Sequence, residues 1–180
     1  MMAYPNDIFF DIETLINVAQ PRRILLLGDC DDAFLQNYIQ QRAVLKQNCS
    51  ITHLRPNQLN DFNALEQAFD VAIAINWFEH FDKRIGTQAL ARLRDVLSPQ
   101  YCICLPLDTS SQNGPENKGE NEGWQLTDLF SFALSKVASY NEDEIEYGLF
   151  KYNLDDYKKT PDWLNSDNWA NPQMWGKYWW

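Results

Sequence analysis

Positive charge is in short supply in this chain. Fifteen Lys and Arg stand against 25 Asp and Glu, giving a formal net charge of -10 over 180 residues. A protein that neutralises a nucleic-acid backbone needs clustered cations, so the composition points away from nucleic acid as a partner. It points away from anionic membrane surfaces for the same reason. Histidine is scarcer still, with only His53 and His80. A histidine-based metal site is thinly supplied, and no metal is expected. The four cysteines, Cys30, Cys49, Cys102 and Cys104, form no C-x-x-C pair. They read as reduced, buried thiols of a cytoplasmic protein rather than as disulfides or zinc ligands. No window approaches the ~18 apolar residues of a membrane span. The start, MMAYPNDIFFDIE, lacks the basic residues and apolar run of a signal peptide. No Gly-x-Ser-x-Gly elbow occurs, and no nucleophile comes with a base at recognisable spacing.

What the chain does have is apolar material. Hydrophobic residues make up 45% and aromatics 14%, enough for one domain with a real core. Ile8, Phe9, Ile12, Leu15 and Ile16 recur at helical spacing and predict a helix over Asp7–Val18, capped by Asn6 or Asp7 and ended by Pro21. Arg23–Leu27 holds an unbroken apolar run, as in a strand covered on both faces. Further helices are predicted over Asp31–Leu45, Asp61–Phe69, Arg84–Leu97 and Trp124–Leu134. Further strands are predicted over Ser50–Leu54, Asp70–Ile75 and Tyr101–Leu105. This alternation implies parallel strands joined by crossover helices. KVASY and IEYGLFKY flank an acidic turn at Asn141–Glu144 and predict an antiparallel hairpin.

Two segments break the pattern. Asp108–Gly123 is polar, holds three glycines and a proline, and reads as a mobile loop. The end of the chain, from Thr160 to Trp180, carries Trp163, Trp169, Trp175, Tyr178, Trp179 and Trp180. Such a segment is too apolar to float in water, so it is expected to cover a groove or edge of the domain, or to dock a partner. The domain boundaries follow as 1–159 for the α/β unit and 160–180 for a Trp-rich extension.

Two stretches carry a family likeness. The first is RRILLLGDCDDAFLQNY, Arg22 to Tyr38, a strand running into a helix through Gly28. The second is FDVAIAINWFEHFDKRIGTQALARLRDVLSPQYCICL, Phe69 to Leu105. In it Phe69-Asp70 precedes an apolar strand. Glu79-His80 follows, then a helix with Leu90, Leu93 and Leu97, a turn at Pro99, and another strand. These stretches resemble the first-strand and fourth-strand regions of class I S-adenosylmethionine-dependent methyltransferases. The whole chain also resembles an uncharacterised bacterial family related to those enzymes, a likeness that brings no activity with it.

The resemblance implies a three-layer Rossmann-like sheet, mostly parallel and closed by an antiparallel hairpin. It also implies S-adenosylmethionine as cofactor. Gly28, Asp29, Cys30 and Asp31 would cradle its methionine part. Asn76, Trp77 and His80 would line the reacting end, with Trp77 able to stack on adenine. A side chain at Gly28 would then abolish binding and spare the fold. Three departures favour a different reading. Gly28 is the only glycine at the bend. After the second strand come Arg55 and Asn57, which leaves Asn57 as the cofactor-binding candidate there, with no carboxylate for the ribose before Asp61. The span Ile51–Asp70 is too short for the usual strand, helix, strand and helix, so one strand and one helix are expected to be missing. The aspartates suit a sulfonium cofactor better than a phosphate, yet they equally read as a capping cluster on a solvated turn. Glu79 and His80, as neighbours, point in different directions and do not form a couple. Two functions therefore stand: methyl transfer to an unknown acceptor, or a methyltransferase-like scaffold that acts as a protein-interaction module.

Overall fold

The computed structural model describes residues 4–107, 123–142 and 145–157. Among the described residues, six strands form one sheet: β1 (Arg23–Leu27), β2 (Ser50–Leu54), β3 (Val71–Ile75), β4 (Gln100–Pro106), β5 (Ser135–Glu142) and β6 (Ile145–Asn153). Their order is β2-β1-β3-β4-β6-β5. β2, β1, β3 and β4 run parallel, and β6 joins β4 antiparallel. The antiparallel hairpin is present, but Asn141 and Glu142, read as part of its turn, belong to β5, with Glu142 opposite Ile145. Its turn, residues 143–144, lies outside the described residues, as do 108–122 and the extension from residue 158 on.

Helices cover both faces, so the fold is the expected three-layer α/β arrangement. Strand side chains alternate between the layers. Ile24, Leu26, Ile73 and Cys102 pack against Ile8, Ile12 and Ile16 of α1 (Asn6–Ala19) and against Leu35 and Tyr38 at and beyond the next turn. Leu25, Leu27, Ala72, Ala74 and Ile103 face Phe62, Leu90, Leu93 and Leu129 on the other side. Those residues belong to α3 (Leu59–Asn63), α4 (Lys83–Arg92), the π-helical turn that continues α4 to Leu97, and α5 (Leu126–Ser131). α2 (Gln36–Val44) and the short α6 (Leu154–Tyr157) complete the set. Among the described residues, no helix is long and apolar enough to cross a membrane.

Several predicted boundaries move. Pro5, not Asn6 or Asp7, takes the cap position of α1, and no side chain caps it. The helix predicted from Asp31 starts instead as a 3₁₀ turn, Asp32–Leu35, with Asp31 as its cap. α3 stops at Asn63, well short of Phe69, because the chain must return to start β3. Trp124 is not helical: it pairs as a bridge with Leu107, and its ring packs on Phe78, centroids 5.7 Å apart. Between β2 and β3 the chain makes only a 3₁₀ turn (Pro56–Gln58) and α3, with no strand. The missing strand and helix anticipated from the sequence are thus absent, and β2 forms the edge of the sheet.

The Phe-Asp pair has a structural explanation. Phe69 is buried in the core. The Asp70 carboxylate accepts from the backbone N–H groups of Arg22 and Arg23, at 2.7 and 2.9 Å, and so anchors the start of β1. Asp70→Ala is expected to cost about 1–2 kcal/mol in urea unfolding, the usual loss for a deleted charge-assisted bond at a partly exposed site.

Candidate functional site

Open α/β sheets bind ligands at the carboxyl ends of their parallel strands. Here that edge gathers the turn after β1, the turn after β2 and the turn after β3. Gly28 sits at its centre with φ +140, a conformation that L side chains rarely adopt. A Cβ there would overlap the carbonyl oxygen of Ile75 and lie 2.9 Å from its carbonyl carbon. The glycine is required because β3 passes directly beside it. Its backbone is also fully engaged. The Gly28 N–H donates to Leu54 O at 3.0 Å, and the His53 Nε2–H donates to Gly28 O at 3.0 Å. A carbonyl only accepts, so this contact fixes the proton on Nε2.

The aspartates divide their tasks. Asp29 forms an ion pair with Arg55 at 3.6 Å, which bridges the carboxyl ends of β1 and β2. Asp31 accepts from Ala33 N at 3.1 Å and caps the following turn. The capping reading therefore holds for Asp31. Cys30 is half-buried, and burial pushes its thiol up to about 11, so it is a poor nucleophile at neutral pH. After β2, Arg55 N–H and Gln58 are tied to each other, and Gln58 donates to Asp61 at 3.1 Å. Asn57 is exposed in that turn.

At the end of β3, Asn76 takes a left-handed conformation, φ 51, and is half-exposed. This lets the chain turn sharply beside Gly28, and Asn tolerates it better than most residues. Trp77 turns the other way. It is 1% exposed and packs on Phe62, Phe78 and Phe81, with ring centroids 4.9, 5.1 and 4.7 Å away. Its indole Nε1 is buried without a partner. His80 is exposed at the end of a 3₁₀ turn, Phe78–His80. Thus Gly28, Asp29, Cys30, Asp31 and Asn76 come together at the edge, Asn57 and His80 stand on exposed turns near it, and Trp77 belongs to the core.

One polar group at this edge escaped the sequence reading. The Tyr4 hydroxyl, just ahead of α1, donates to Glu79 Oε1, while Glu79 Oε2 is buried with no partner. The Tyr4 ring meets Tyr147 of β6, centroids 4.9 Å apart. Burial pushes the Glu79 carboxyl above its ordinary range, against the opposing effect of the Tyr4 hydroxyl. Burial and the nearby Glu79 push the Cys104 and Tyr4 groups up as well. The sign for stability follows from linkage. The folded state holds the Glu79 proton more tightly than the unfolded state. Its stabilising contribution is full below the ordinary carboxyl range and is lost as pH rises through the raised folded value. Glu79→Gln is expected to flatten that part of the pH–stability curve; a curve of unchanged slope would contradict the assignment. Among the described residues, no three His, Cys, Asp or Glu side chains gather in a way that could hold a metal.

Residues 6–180 match a family of unknown function, DUF6231. The chain belongs to this family. No curated protein matches it. The fold is similar to that of magnesium protoporphyrin IX methyltransferase (ChlM) from Synechocystis PCC 6803, solved with bound SAH. The TM-score is 0.53 at 10% identity, over 81% of this chain and 81% of that one. It is also similar to TnmH, with a TM-score of 0.50 at 13% identity, over 81% of this chain and 54% of that one. At such identities the likeness is one of fold. This DUF6231 chain has a methyltransferase-like, Rossmann-like sheet.

Proposed function

We propose that this DUF6231 protein is a methyltransferase-like interaction module that does not use the carboxyl edge of its sheet to hold S-adenosylmethionine. The observation that carries this reading is the state of Gly28. The space that a missing side chain would leave for a cofactor is filled by the Ile75 carbonyl, and both backbone groups of Gly28 are already bonded to β2. The residues around it reinforce the reading. An arginine paired to Asp29 stands after β2, where a ribose-holding carboxylate would be needed. Trp77 is packed in the core and offers no free ring face to adenine. The residues present at this edge do not fit the cofactor.

Methyl transfer is the second reading, favoured by one observation: Asn76 is half-exposed in a left-handed turn beside Gly28. Titration calorimetry with S-adenosylmethionine and SAH separates the two. The interaction-module reading expects no binding heat up to millimolar ligand. Binding at micromolar Kd, about -8 kcal/mol, would overturn it and restore the enzyme reading.

A further inference from the structure

The two edge strands of the sheet are built differently. β5 is guarded as exposed strands usually are. A register shift between Lys136 and Ala138 breaks its ladder, and Lys136 and Glu142 set charges along it. β2, at the opposite edge, has none of these devices. Its sequence, SITHL, holds no Lys, Arg, Asp, Glu, Pro or Gly. It pairs with β1 in unbroken register from Ser50 to Leu54. Its one ionisable side chain, His53, is turned back to Gly28 O.

The open side of β2 carries a definite set of groups. Ser50 N–H donates to Arg22 O, and Leu54 O accepts from Gly28 N–H. Backbone groups alternate in direction along a strand, so Ser50, Thr52 and Leu54 face β1, and Ile51 and His53 turn their N–H and C=O groups outward. Among the described residues, no strand lies beyond β2. These two donors and two acceptors are complementary to a second copy of themselves. In an antiparallel pair centred on Thr52, Ile51 of each strand lies opposite His53 of the other, and each such pair exchanges two N–H···O bonds. All four outward groups of each strand are then bonded. Thr52 meets its own copy on the two-fold axis, at a position where facing side chains lie closest.

Charge favours a second copy over a charged peptide. With a net charge of -10, two copies repel over most of their surfaces. Between Asp32 and Asp61, however, the chain holds no Asp or Glu, and this stretch includes α2 and β2. Of its three cations, Arg42 is buried and donates to Gln20, and Arg55 is paired with Asp29, which leaves Lys46. The β2 edge is therefore close to neutral, a place where this acidic chain can meet itself.

We propose that the β2 edge is a homodimer interface, in which two copies pair β2 antiparallel about Thr52 and one sheet runs through both. The strand missing beyond β2 is what leaves this edge open. The proposal goes beyond the module reading: it stands on the β2 edge alone, and holds or fails independently of whether SAH binds.

Sedimentation velocity of the full-length protein, from micromolar to near-millimolar concentration, tests it. A five-residue edge makes a small interface, so a reversible dimer with micromolar Kd is expected. Thr52→Lys and Thr52→Glu each set like charges face to face across the axis, and each should weaken the dimer about fivefold or more. An equimolar mixture of the two variants should associate more tightly than either alone, because the introduced ammonium then faces the introduced carboxylate. A parent protein that stays monomeric throughout would overturn the proposal. So would a dimer that both variants leave intact, which would place the association on another surface. Variants that dissociate and do not pair when mixed would overturn the two-fold register about Thr52. The parent's own concentration series decides even if a variant does not fold.

Discussion

Gly28→Ala is expected to lose at least about 4 kcal/mol of stability in urea unfolding, and Gly28→Val to yield no cooperative transition. Few single changes cost so much, and those that do act through a named mechanism. Here two act together. The backbone at φ +140 is open in practice only to glycine, and a Cβ would overlap the Ile75 carbonyl. The turn cannot relax outward, because its N–H is held by Leu54 and its carbonyl by His53. Domains of this kind have only about 5–15 kcal/mol in total. The sequence reading expected the opposite, a variant that folds but fails to bind cofactor. A Gly28→Ala protein within about 0.5 kcal/mol of the parent, on the scale of ordinary surface changes, would show that the β1–β3 contact does not constrain this turn.

Trp77 carries the second large effect. Trp77→Ala is expected to cost about 3–5 kcal/mol, as for an aromatic ring removed from a packed core. Three rings touch the indole, those of Phe62 of α3, Phe78 and Phe81, so one truncation loosens the covering of β3 at several points. Trp77→Phe should be much milder. It keeps a ring in place and removes an indole N–H that is buried without a partner, a group whose burial itself costs about 1–3 kcal/mol. The expected order in melting is parent and Trp77→Phe close together, with Trp77→Ala far below. Equal stability of all three would return Trp77 to the role of an exposed ligand platform.

The fold was legible where it follows from local pattern. The run Ile24–Leu27 is apolar at every position because β1 is covered on both faces, and its bounds came out as read. The hairpin was legible because two strand-like runs flank a short acidic turn, while its register, with a shift between Lys136 and Ala138, was not. The shortened span before β3 was legible by length alone: between Leu54 and Val71 the chain has no room for a further helix and strand. The site was less legible. Gly28 was found, but its reason was not, because the Ile75 carbonyl that demands it lies 47 residues away, 75 − 28, on a strand placed beside it only by the sheet order. The Tyr4–Glu79 bond joins residues 75 apart, and nothing in either neighbourhood announces it. Trp77 stands two residues past a buried strand, where an aromatic side chain reads equally well as core or as edge. Asp70 looked like part of a family pattern, and its work is to hold the first residues of β1.

The central claim is that the carboxyl edge of this sheet is occupied by contacts of the chain with itself. A backbone amide NMR titration of the full-length protein with SAH tests it most directly, because it reads Gly28 and Asn76 one by one. The expected result is that both amide signals stay in place through millimolar SAH. Saturable shifts of Gly28 and Asn76 together would contradict the claim, since they would show that the edge opens to a cofactor in spite of the Ile75, Leu54 and His53 contacts that hold it.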